Sequence, residues 1–193
     1  MSHLRLVFGD TAAALASAAP DDRPVATREY RLRQLKGDRF PRGYSMLSVR
    51  ELLAAEPGSG ERVGGVASLL CTPYPGQTDP IIADHLYLTF SSAPTGVSEE
   101  DYIDWYRRHL AENLTVAGFE SGWRFATTPD EVGACAGSMV THLAMYALDG
   151  ELSVLFERLQ EATARGRVTY PAWFADRGRV SMEAVATGTL RPS

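Results

Sequence analysis

The chain has a single lysine, Lys36, against eighteen arginines, and only two cysteines, Cys71 and Cys135, in 193 residues. Two thiols far apart in sequence, with no CxxC pair and no His/Cys ligand cluster, support neither a disulfide framework nor a zinc site. One surface-like lysine argues against Schiff-base chemistry. Basic residues number 19 against 24 acids, for a net charge of −5. That balance argues against a general nucleic-acid or anionic-membrane binder, both of which depend on clustered positive charge. No apolar run approaches the roughly 20 residues needed to cross a bilayer, and the amino terminus has no basic region followed by a hydrophobic core. A soluble, cytoplasmic protein is expected. No GxSxG elbow occurs, and the glycines of Gly58-Ser59-Gly60 and Gly64-Gly65 lack the strand-loop-helix setting of a phosphate loop, so they read as turns.

What the chain does have is a core-forming composition, 45% hydrophobic, and an internal repeat. His3-Leu4-Arg5-Leu6-Val7-Phe8 matches His85-Leu86-Tyr87-Leu88-Thr89-Phe90, both alternating with the period of half-buried strands. Glu29 to Leu32 is set beside Gly122 to Phe125, Tyr44 to Leu52 beside Val140 to Leu148, and Val63 to Thr72 beside Val180 to Thr189. The gaps differ. Between Phe8 and Tyr30 lie 21 residues, where Phe90 and Trp123 are separated by 32, a deficit of about three helical turns. The second half therefore reads β-α-β-β-α-β, and the first reads as the same plan with eroded helices. Residues 1–72 form the first half and residues 85–193 the second. The proline-rich stretch 73–84 connects them.

Glu99 to Leu110 (EEDYIDWYRRHL) followed by Val116 to Phe125 (VAGFESGWRF) resembles the dimeric α+β barrel superfamily, and within it the EthD-like group. Its helix motif, close to E-F-x-x-W-Y-x-x-x-H-L-P, is matched at Trp105, Tyr106, His109 and Leu110. Its strand motif is matched at Gly118, Phe119, Arg124 and Phe125. Ala111 and Ala117 stand where prolines are usual, and His109 follows Tyr106 by three positions rather than four. The resemblance implies an α+β fold of two ferredoxin-like halves forming an α+β barrel. Relatives of that kind include cofactor-free monooxygenases, polyketide cyclases, muconolactone-type isomerases, dehydratases and heme enzymes, so it speaks for fold more than for activity.

The residues themselves give a candidate site. On a helical wheel Tyr102, Trp105, Tyr106, His109, Leu110, Asn113, Leu114 and Val116 share one half, with His109 and Asn113 in the middle of the apolar stripe. Such polar groups are paired in a core, hydrated in a cavity or facing a ligand. The second helix, with Leu152, Leu155, Phe156 and Leu159 in its stripe, has the pattern of a helix that only packs on a sheet. His142 and Tyr146 share one strand face, which lies either under the first helix, where His142 converges with His109, or inside the barrel. Arg124 is placed to bind a carboxylate or enolate oxygen, or to form a surface salt bridge. The segment Gly166 to Arg179 concentrates Tyr170, Pro171, Trp173 and Phe174, which dock on the body, plug the barrel end or cover a pocket.

These residues suggest a cofactor-independent enzyme that uses general acid/base catalysis on a small apolar, aromatic or polyketide-like substrate, as a lyase, dehydratase, cyclase or isomerase does. His109, Tyr106 and Asn113 are the catalytic candidates. Tyr102, Trp105, Arg124, His142, Tyr146 and Trp173 are the substrate-binding candidates, and no metal or other cofactor is expected. The alternatives are a cofactor-free, oxygen-dependent monooxygenase and a non-catalytic binding or assembly protein. A homodimer is expected, because eroded helices would leave one sheet face bare.

Overall fold

The computed structural model describes residues 2–17, 24–36, 44–53, 66–80, 82–129, 140–175, 178–189 and 191–192. Its strands are β1 (His3–Gly9), β2 (Ala26–Lys36), β3 (Met46–Leu52), β4 (Ala67–Pro73), β5 (His85–Ser91), β6 (Phe119–Pro129), β7 (His142–Leu148), β8 (Arg179–Ala186) and the short β9 (Arg191–Pro192). Three helices accompany them, α1 (Ala12–Ser17), α2 (Glu99–Asn113) and α3 (Leu152–Ala164), with a 3-10 turn at Ala172–Ala175. All the ladders are antiparallel, in the order β3-β1-β4-β6-β7-β5-β8-β2-β9. Because β2 also pairs with β3, eight strands close into a barrel.

The two eleven-residue strands make the closure. Residues 26–31 of β2 pair with β3 while residues 30–36 pair with β8. Likewise β6 pairs with β7 through residues 119–126 and with β4 through residues 125–129. The pairings β1–β3, β1–β4 and β2–β3 among the first four strands have the same pattern as β5–β7, β5–β8 and β6–β7 among the next four. Ladder registers refine the repeat. They set Tyr30 beside Phe125 rather than Trp123, a shift of two, and Cys71 beside Ala184, a shift of four from the sequence pairing. Both shifts are even, so each residue keeps its face.

Alternation decides which side chains fill the barrel. Leu4, Leu6 and Phe8 of β1, Leu86, Leu88 and Phe90 of β5, and Leu143 and Met145 of β7 all join one interior cluster. Phe8 and Phe90 meet edge to face at 6.0 Å across it. Cys71 belongs to the same interior, where burial raises its thiol pKa and keeps it protonated. Cys135 lies outside the described residues.

The outer face of the second half carries α2 and α3. Ser98 caps α2, its Oγ accepting from the Asp101 amide at 3.1 Å, and three acids in the first turn suit the positive end of the helix dipole. Gly122 of β6 lies beneath this helix, where a Cβ would come within 3.0 Å of the Tyr146 ring and 3.1 Å of Leu110. The outer face of the first half is not bare. Arg5, Val7, Ser48, Arg50 and Ser68 are all buried, with Leu15 of α1 packed against Val7. The connection 73–84 is fastened to the barrel. Gln77 donates to the carbonyl of Arg124 and accepts from its amide, as a strand neighbour would, and Tyr30 donates to the carbonyl of Ala83. Among the described residues no helix is long and apolar enough to cross a membrane.

Candidate functional site

The outward residues of β5, β6 and β7 form the floor beneath α2, and the helix stripe packs on them as its spacing predicts. Tyr102, Trp105, Tyr106, His109 and Asn113 are buried. Leu114, read as part of the stripe, is the C-cap residue and is exposed. His142 and Tyr146 lie on the outer face under α2, not inside the barrel, because β7 turns Leu143 and Met145 inward.

The two histidines do not converge. His142 is held by Tyr74, whose hydroxyl lies 2.7 Å from Nδ1, while Glu99 at the start of α2 lies 2.8 Å from Nε2 and the Tyr102 ring lies 4.8 Å away. The carboxylate favours the proton on Nε2, which leaves Nδ1 to accept from the phenol. Burial lowers the His142 pKa and Arg124 adds to that effect, while Glu99 opposes both. Burial likewise raises the Tyr74 pKa. Arg124 is engaged within the chain. Its Nη1 donates to the carbonyl of Ile103 at 2.6 Å and its guanidinium lies 4.7 Å over the Tyr74 ring, so it clamps α2 and the connection onto β6.

His109 sits further along α2, in an aromatic setting. Its ring stacks on Trp105 at 4.7 Å and contacts Tyr170 at 5.0 Å and Phe174 at 6.0 Å. Asn113 Nδ2 lies 3.3 Å from His109 Nε2 and donates to the Tyr146 hydroxyl at 3.0 Å. The structure thus brings His109, Asn113 and Tyr146 together, with Tyr106 beside them at 6.1 Å from the imidazole. The aromatic segment docks on this helix. Trp173 packs on Trp105 and Tyr102, and Glu112 accepts from the amide and hydroxyl of Thr169, pinning the start of the segment to α2.

The open space lies elsewhere. A groove of about 640 Å³ runs between α3, the aromatic segment and the ends of β2 and β8. Leu35, Tyr87, Phe156, Leu159 and Phe174 give it an apolar wall. Phe156 and Leu159 are apolar stripe positions of α3 that remain only half-buried because they face this space. Lys36 and Arg179 supply its charges, and neither histidine lines it. Tyr170 and Phe174 touch His109 on one side and line the groove on the other. A volume in this range suits a small molecule.

Sequence reasoning singled out neither the groove nor the Tyr74 and Glu99 contacts of His142. Tyr74 falls in a stretch read as a connection, and Glu99 enters the sequence reading only as the first residue of the helix motif. Among the described residues, no group of three or more His, Cys, Asp or Glu side chains is placed to hold a metal ion. Comparison of the chain with protein-family models, with curated proteins and with solved structures finds no match.

Proposed function

We propose that this chain is built of two ferredoxin-like halves, as in the EthD-like proteins it resembles, and binds a small, largely apolar molecule in the groove against α3. The repeated pairing of four strands in each half supports the architecture. The observation that carries the function is the groove itself, apolar on its walls, with a few polar groups converging on it. Binding of 1-naphthol, followed through tryptophan emission, tests it, because Trp173 adjoins the groove residue Phe174 in sequence. Leu159→Trp should fill the space and abolish binding while the fold survives. Unchanged binding in that variant overturns the assignment.

A second reading is cofactor-independent acid/base catalysis by His109, with Tyr106 and Asn113 orienting the substrate oxygen. It is favoured by one observation: the Tyr170 and Phe174 rings both touch His109 and line the groove, so a shift of the aromatic segment would bring the groove closer to the imidazole. In a catalytic protein His109→Ala loses roughly 10²–10⁴-fold in rate and keeps its thermal midpoint. In a binding protein the same change lowers stability by about 1–3 kcal/mol and leaves groove binding intact. Dependence of any turnover on oxygen separates proton-transfer chemistry from a monooxygenase.

A further inference from the structure

We propose that the groove takes a small amphipathic carboxylate, its apolar body against α3 and its carboxylate at Lys36 and Arg179; the inference rests on the groove being the binding site. Consecutive residues of a regular strand point to opposite faces, yet Leu35 and Lys36 both line the groove. The ladder gives the reason. Gln34 pairs with Met182 and Lys36 with Ser181, so Leu35 is an extra residue in β2. Such a bulge re-aims the side chains around it, and here it turns the only lysine of the chain into the groove.

Arg179 opens β8 on the facing strand, its guanidinium 5.6 Å from the Phe174 ring. Among the described residues no acidic side chain is part of the groove lining. Among the described residues neither Lys36 nor Arg179 has a carboxylate partner. Glu183, two residues beyond Ser181 on the same face of β8, is already held by Arg33 at 2.6 Å and His85 at 2.8 Å. Two uncompensated cations beside an apolar cavity, in a chain of net charge −5, make a local site for an anion that brings its own apolar surface. A carboxylate accepts charge-assisted hydrogen bonds from both groups. A cationic ligand of the same body would be repelled by them, and a neutral one would leave both without a counter-charge.

The test titrates decanoate, decanol and decylamine against the protein by calorimetry, for the wild type, Lys36→Gln, Arg179→Gln and the double variant. Decanoate should bind at least about tenfold more tightly than decanol, with decylamine weakest and the decanoate advantage shrinking at high salt. In the double variant that advantage should vanish while decanol binds as before. Equal affinity for decanoate and decanol in the wild type, or an advantage that survives in a folded double variant, overturns the carboxylate assignment and leaves the groove as a binding site. Failure of all three ligands to bind removes the groove reading, and this inference with it.

Discussion

The hydroxyl of Tyr74 lies 2.7 Å from Nδ1 of His142, so a residue of the connection between the two halves closes over a histidine on the floor beneath α2. With Glu99 on the opposite nitrogen, the imidazole bridges three parts of the chain: the connection, β7 and the start of α2.

That bridge makes stability pH-dependent. Burial sets the His142 pKa below the ordinary value of 6.5 in the folded chain, so the unfolded chain takes up the proton first as pH falls. The contribution of the neutral ring is complete above about pH 6.5 and is lost as pH drops through the folded value. Thermal midpoints measured from pH 8 to pH 5 should fall on the acid side, and His142→Gln should flatten that slope. A slope identical in the variant would show that other groups carry it.

Gly122→Ala tests the closeness of α2 to the sheet. The added methyl meets the Tyr146 ring and Leu110 within about 3 Å, and Tyr146 holds Asn113 through its hydroxyl. A destabilisation of about 1–3 kcal/mol is expected from overpacking, read by denaturant titration. A change near zero would mean that the helix stands further from β6 than described.

Glu112 is the tether of the aromatic segment. Glu112→Ala removes the acceptor of both Thr169 contacts, so amides of residues 168–175 should exchange faster with solvent while those of β5 and β7 keep their protection. Exchange unchanged across the segment would assign its docking to the Trp105, Trp173 and Phe174 packing alone.

Much of this arrangement can be read from the residues, and the parts that cannot have physical reasons. Alternation in 3–8 and 85–90 gives two strands with correct faces, and the stripe from Tyr102 to Asn113 gives the buried side of α2. Period-two patterns are unchanged by a slip of two or four, which is why the sequence pairs Tyr30 with Trp123 and Cys71 with Gly188 where the ladders set them beside Phe125 and Ala184, on the same faces. Polar residues in the α2 stripe point to a cavity there, yet Asn113 lies against His109 and donates to Tyr146, and aromatic rings pack around the imidazole. The groove adjoins α3 instead, where an apolar stripe looks the same whether it meets a sheet or an open space. The direction of Lys36 is equally hidden in the sequence, since one extra residue in β2 turns it and no pattern in Gln34-Leu35-Lys36 announces a bulge.

Barrel closure has a consequence for how the chain is made. Beside the short β2–β9 pairing, the seams β2–β8 and β4–β6 are the ladders that join strands of the first half to strands of the second among the described residues. Cleavage within 73–84 followed by separation would expose two strand edges on each fragment, with backbone amides and carbonyls ready to pair with any neighbour. Translation of residues 1–72 passes through that state before the second half exists. The covalent link then supplies the complementary edges at high local concentration, so that the first half meets its own partner before it meets another copy of itself.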